Sequence, residues 1–192
     1  MRKYLLDKIK RYSIFFLVIS VLLGVYLLFS HIDSKIVVEM VGAENVYLVI
    51  FLIAAVGGVS TFGSTAFFTT MLAFSAGGEA SPLLLGLAGG FGIFLSDSIF
   101  FHLALYGRKS IPKEWKTKVN AFATKARKTS DWIVLPSVYA YLGLSPLPND
   151  LLMVVLVLAK YTYLRIAPVL LLASITLATL TAYAGNFWAS AF

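Results

Sequence analysis

The sequence predicts an all-α integral membrane protein: three full spans and two opposed re-entrant helical hairpins in an inverted repeat, with one amphipathic helix at the membrane surface. Three observations predict it. The chain of 192 residues is 59% hydrophobic with a mean hydropathy of +0.87, where a soluble domain is about 45–50% apolar. Its apolar runs come in two lengths, some sufficient for a ~30 Å hydrocarbon core and some about half of that. Its basic residues gather at the ends of those runs. The formal charge is +7, from 16 Lys and Arg against 9 Asp and Glu. In a soluble chain that excess raises nucleic acid as a partner; its placement here argues for topology and against nucleic acid. Cysteine is absent, which excludes a disulfide framework, a thiolate metal site and a cysteine nucleophile.

Residues 1–45 read as an N-terminal anchor span and an amphipathic segment. Arg2, Lys3, Lys8, Lys10 and Arg11 precede Tyr12–Ser30, which carries no charge and is long enough for one span. A signal peptide is the competing reading. The run is long for one, and no small-x-small cleavage site follows at Ser30-His31-Ile32, so an uncleaved anchor is expected. In His31–Asn45, the residues Ile36, Val37, Met40 and Val41 share a helical face. That predicts a short amphipathic helix at the surface; a polar loop with one helical turn is the alternative.

Residues 46–192 read as one unit: a first half over 46–106, a basic loop over 107–131 and a second half over 132–192. Val46–Val56 is apolar but short, and ends at Gly57–Ser64; a second short run, Thr65–Ala76, leads through Gly77–Pro82 to a full span over Leu83–Tyr106. Pro82 suits a first helical turn and Gly107 a helix end. Gly86, Gly90, Ile93 and Asp97 fall on one stripe of that span, where small residues let another backbone come close. Within Arg108–Asp131, Lys118–Ser130 forms a basic amphipathic pattern with Val119, Phe122 and Ala126 on its apolar side; an ordinary cytoplasmic loop is the alternative. Trp132–Ala140 is the next short run, Tyr141–Asp150 a break, Leu151–Ala159 another short run, Lys160–Arg165 a basic aromatic connector, and Ile166–Phe187 the last full span, with Pro168 in its first turn.

The breaks organise the rest. Gly57, Gly58 and Gly63 are expected to break the first hairpin, and Gly143, Pro146 and Pro148 the second, because proline lacks the backbone N–H and clashes with the preceding turn. Each half has a short run, a break, a short run, a connector and a full span, which is how transporter repeats show themselves in hydropathy. The pair of short runs in either half can also be read as one kinked span. Charge favours hairpins. With the N-terminus and the 107–131 loop cytoplasmic, only two hairpins entering from opposite faces keep Lys160 and Arg165 inside and Glu79 outside. The C-terminus is then outside.

The candidate binding residues follow from this layout. Asp97 lies about ten residues, or ~15 Å, inside a span, where a carboxylate is costly and so marks a proton site, a headgroup contact or a structural hydrogen bond. Asn149 and Asp150 are placed to cap the half-helix after the second break; the same N–H groups and dipole end can receive a phosphate, which an ionised Asp150 would repel. Ser60, Thr61 and Ser64 are the polar groups of the first break, suited to capping or to lining a cavity. Arg108 shares a helix face with Asp97 but lies too far along it to bond. Arg165 suits a headgroup contact or an interface anchor. His102 does not share a face with Asp97 and is expected in an interhelical hydrogen bond.

Three places resemble the DedA family, also known as the VTT or SNARE-associated Golgi protein family. Gly92-Ile-Phe-Leu-Ser-Asp97 running on to Tyr106-Gly107-Arg108 is similar to the family's Gly…Asp…Tyr-x-Gly-Arg pattern. Ser145-Pro-Leu-Pro-Asn-Asp150 with Leu151-Leu-Met153 sits where the family has its second proline-containing re-entrant segment, and the last span follows as it does there. The resemblance covers about Val46–Phe187. It implies two membrane-embedded hairpins and the movement of lipids, phosphate-bearing carriers among them, with proton coupling proposed for some members. The chain departs from the family's pattern in the first break, which has no proline and no acid, and in the second, where Asn149 and Asp150 follow the prolines.

The function expected is therefore a transporter or scramblase moving a lipid between leaflets through a groove between the hairpins. A proton- or ion-coupled transporter of a small solute and a non-transporting membrane scaffold or assembly factor are the alternatives. An enzyme is not expected. Gly143-Leu-Ser145-Pro-Leu147 lacks the final glycine of a nucleophile elbow, and His31 and His102 have no metal spacing. No cofactor or metal is implied; the partners are membrane lipids, and a homo-oligomer is compatible with all of this.

Overall fold

A computed structural model describes residues 45–57, 61–78, 80–107, 113–145 and 149–191. They form seven helices: α1 (Val46–Gly57), α2 (Thr61–Ala76), α3 (Pro82–Gly107), α4 (Lys113–Lys128), α5 (Asp131–Leu144), α6 (Asp150–Leu158) and α7 (Tyr163–Ala191). No strand occurs among the described residues. The anchor expected at Tyr12–Ser30 and the surface helix expected from His31 lie outside them.

Helices α3 and α7 are each long and apolar enough to cross a membrane. The 26 residues of α3 rise about 39 Å. Their outer faces carry large bare apolar side chains, among them Leu84, Phe91 and Leu95 on α3 and Leu172, Leu180 and Phe187 on α7. An exterior of this kind fits hydrocarbon better than water.

Small residues explain why these two helices form the spine. A Cβ added to Gly86 would lie 2.6 Å from Thr179 Cα, and one added to Gly90 2.6 Å from Ile175 Cα. No larger residue fits without moving a backbone. Position 86 meets 179 and position 90 meets 175, so α3 and α7 are antiparallel. On its other side α3 receives α1: a Cβ on Gly92 would lie 2.5 Å from Phe51 O and 2.6 Å from Ala54 Cβ, and one on Gly89 3.2 Å from Ile50 Cγ2. These numbers rise together, so α1 and α3 run the same way.

The short helices bring the chain back to its starting level. Ser81 N, just before α3, donates to Tyr47 Oη at the start of α1 (3.1 Å). In the second half, Asp131 at the start of α5 is ion-paired with Arg165 at the start of α7. Because α3 and α7 are antiparallel, these two contacts lie at opposite ends of the spine. The partners match as well: α1 packs on α3 as α5 packs on α7, and α2 reaches across to α7 as α6 reaches across to α3.

Two buried clusters result. One gathers Val46, Ile50, Met71 and Leu85 with Ile93, Ala178 and Ala182. The other gathers Val138, Leu142, Met153 and Leu156 with Phe101, Ile166 and Leu170. Along α3, Ile93 is the last buried residue of the first cluster and Phe101 the buried residue of the second, against which Phe94 and Phe100 also pack. Between them lie the buried polar residues Ser96, Asp97 and Ser98.

The helix ends correct the expected boundaries. The first break is shorter than Gly57–Ser64: α2 begins at Thr61, because neither Gly63 nor the hydroxyl residues forbid helical backbone, costing ~1 kcal/mol or less each. Gly63 is therefore helical and not a breaker, while Gly58 and Ser60 lie outside the described residues. Gly143 is not a breaker either. It lies inside α5, where a Cβ would sit 3.2 Å from Ala173 Cα; it is a close-approach residue. The second break starts at Ser145, whose backbone is extended at φ −132° and ψ 130°, as the residue before a proline prefers. Pro146 and Pro148 lie outside the described residues. Pro136 sits inside α5 and Pro168 lies in the second turn of α7, which starts at Tyr163.

Helix α6 ends without glycine. Lys160 adopts φ +66°, and the last carbonyls are all taken. Ala159 N bonds Val155 O (2.8 Å), Tyr161 N bonds Leu156 O and Lys160 N bonds Val157 O (both 3.1 Å), a Schellman motif. Leu158 O accepts from Arg127 Nη2 of α4 at 2.7 Å, a cation where the helix dipole favours one.

Candidate functional site: a buried carboxylate met by a helix end

Asp97 is 2% exposed. The close packing made by Gly86 and Gly90 carries α3 past α7 and sets this carboxylate in the layer between the two apolar clusters. A buried carboxylate needs hydrogen-bond donors. One comes from the far end of the second break: Asn149 Nδ2 lies 3.2 Å from Asp97 Oδ1 and 3.5 Å from Oδ2.

Both residues are candidates on the sequence, where nothing pairs them and Asn149 is expected as a side-chain cap of α6. The backbone of Asn149 is helical (φ −79°, ψ −22°) and its side chain makes no cap bond. Its carbonyl accepts from Met153 N (3.1 Å), and its amide turns to Asp97 instead. The 9 residues of α6 rise about 14 Å. The helix therefore runs from the level of Asp97 to the end where Arg127 and the Schellman turn hold it.

This geometry has definite chemistry. An amide donates through its nitrogen and accepts through its oxygen, so Asn149 can bond Asp97 as a carboxylate or, with the amide turned over, as an acid. The N–H groups of the first turn of α6 have no partner within the helix, and the dipole end is positive. A carboxylate and a helix N-terminus thus converge from two elements that are 52 residues apart. Asp150 opens α6, and Thr61 and Ser64 lie in the first turn of α2; their side chains, with Ser60 and Arg108, are outside the described residues.

Arg165 belongs to a different group. Its guanidinium is paired with Asp131 Oδ2 and lies 5.8 Å from the Tyr161 ring centre. Tyr161 Oη donates to Asp131 Oδ1 at 2.9 Å. Burial pushes the Tyr161 phenol above its ordinary range. The three side chains tie the starts of α5 and α7 together. Gly57 is the last residue of α1.

His102 also differs from expectation. Its Nδ1 donates to Ser98 O of its own helix at 2.7 Å, and its ring lies 4.8 Å from that of Tyr163. Tyr163 Oη is 2.8 Å from Ser98 Oγ; Ser98 Oγ in turn donates to Phe94 O at 2.6 Å, so the tyrosine is the donor between the two hydroxyls. Sequence reasoning missed Ser96. Its hydroxyl is buried and has no hydrogen-bond partner among the described residues. It lies one turn beyond Gly92 on the stripe facing α1, at the level where α1 ends. Its place beside Asp97 was the available signal. Among the described residues no three His, Cys, Asp or Glu side chains gather as a metal site would require.

No protein-family model, curated protein or solved structure matches this chain.

Proposed function

We propose that this chain is a membrane protein related to the DedA family that moves lipid between leaflets, and that Asp97 and the N-terminal end of α6 receive the headgroup. In this reading α3 and α7 are full spans, and α1–α2 and α5–α6 are re-entrant hairpins entering from opposite faces. The observation that carries it is the hydrogen bond from Asn149 to Asp97. It sets the broken end of a half-helix against a carboxylate ~15 Å inside a span, at the depth a midplane site requires.

The two parts of the site suit the two parts of a zwitterionic headgroup. The first-turn N–H groups and positive end of α6 favour a phosphate. Asp97 favours a cationic amine and disfavours a bare anion. The apolar outer faces of α3 and α7 would leave the acyl chains in the bilayer while the headgroup passes. The matched packing of α1 and α5, and of α2 and α6, supports the inverted repeat.

A second reading, a proton-coupled transporter, is favoured by one specific feature: the Asn149 amide can follow Asp97 through both protonation states. Purified protein in vesicles, assayed with headgroup-labelled phospholipid, separates the readings. Transfer that survives collapse of the proton gradient is the expected result. Transfer abolished by that collapse supports the coupled transporter, and absence of transfer under either condition leaves a scaffold as the function.

A further inference from the structure

The basic helix α4 has two unlike faces. One packs inward: Ala123 is buried and Ala126 is half-buried in the cluster beneath α6, and Arg127 is engaged by Leu158 O. The other is bare. Phe122 is 66% exposed, and Ala121, Lys125 and Lys128 are exposed beside it. Helical periodicity puts Lys125 one turn after Phe122, and Lys118 holds the register position one turn before it. After the two-residue link Thr129-Ser130, Trp132 is 89% exposed.

The location of this face gives it meaning. The start of α5, the end of α6 and the start of α7 are tied together here by Arg127, Asp131, Tyr161 and Arg165. It is the end of the bundle where the apolar exterior gives way to a basic, aromatic rim, the composition of a membrane–water boundary. A bare phenylalanine between lysines is poorly served by water. It is well served with its ring at the acyl boundary and the ammonium groups among headgroups. Between Arg108 and Asp131 the sequence carries Arg108, Lys109, Lys113, Lys116, Lys118, Lys125, Arg127 and Lys128 against Glu114 and Asp131, which selects an anionic partner.

We propose that the outward face of α4, with Phe122 as its apolar anchor and Lys125 and Lys128 as its cations, docks on anionic phospholipid headgroups of the bilayer that holds α3 and α7. Arg127 is not part of this face, because its guanidinium serves α6. The inference rests on the membrane reading of α3 and α7 and not on lipid movement, so either can fail without the other.

The chain has no native cysteine, so a single Ala121→Cys substitution takes one environment-sensitive fluorophore within the face while leaving Phe122 in place. The labelled protein is reconstituted in nanodiscs of phosphatidylcholine, with or without phosphatidylglycerol. The expected result is a blue-shifted, quencher-protected label only when phosphatidylglycerol is present, released by added salt as charges are screened. Combined Lys125→Gln and Lys128→Gln substitutions should lower the docked-to-free ratio about thirtyfold, at about 1 kcal/mol per cation. The matching Lys→Arg variant should dock as the parent does, which separates charge from folding. The proposal is overturned if the label behaves alike in both lipids, if docking ignores salt, or if the glutamine variant docks as tightly as the parent.

Discussion

Replacing Gly90 by alanine should part the spine that positions Asp97. The added Cβ would lie 2.6 Å from Ile175 Cα, 2.8 Å from its Cγ1 and 2.9 Å from its N. Ordinary carbon contacts are about 3.5–4.0 Å, so α3 and α7 must separate by about 1 Å at this crossing. Two of the three obstructing atoms are backbone, so no rotamer change relieves the clash. Overpacking of this kind costs about 1–3 kcal/mol. Alanine also gains up to ~1 kcal/mol of helix propensity over glycine, which would mask part of the loss. Gly107→Ala is the control, since nothing lies within 4 Å of a Cβ placed there. Reversible unfolding in mixed detergent–SDS micelles, followed by circular dichroism, should place Gly90→Ala about 1–3 kcal/mol below Gly107→Ala. Equal stability, or a more stable Gly90→Ala, would refute the close-packed spine.

Two further substitutions test how α6 is held. Lys160→Gly relieves a side chain from φ +66° and should raise stability by about 0.5–1 kcal/mol in the same unfolding assay; a loss would mean that the lysine side chain contributes more than its backbone strain costs. Arg127→Met removes the donor to Leu158 O, a loss of about 1 kcal/mol at an exposed helix end. Amide exchange at Lys160 and Tyr161 should then quicken about fivefold, and unchanged exchange would show that the Schellman turn holds α6 without α4.

Much of the helical layout was legible because apolar run length and proline placement act locally. The span over Leu83–Tyr106 was read to within a residue at each end, since Pro82 and Gly107 mark both limits. Glycine was read less well. Its propensity is the same whether it breaks a helix or admits a neighbouring backbone, and only the approach of Ala173 shows that Gly143 does the second. The role of Asn149 was hidden for a similar reason. An asparagine before an apolar run is a capping signal on local grounds, and its true partner lies on another element. Asp131 was counted as one loop charge; its bonds to Tyr161 and Arg165 join segments that only the folded chain brings together. The end of α6 was equally silent, because a lysine in left-handed backbone carries no sequence mark.

The claim that Asp97 and Asn149 form one headgroup site is tested most directly by a double-mutant cycle on lipid movement. Translocation of headgroup-labelled phospholipid is measured in proteoliposomes for the parent, Asp97→Ala, Asn149→Ala and the double variant, each first shown to retain its helical content. A hydrogen bond to a charged headgroup made during its passage is worth about 1.5–3 kcal/mol, so each single variant, by removing or misplacing that contact, should slow translocation by about tenfold or more. The double variant should be no slower than the slower single one, because both remove the same contact. Undiminished translocation in the double variant would contradict the account.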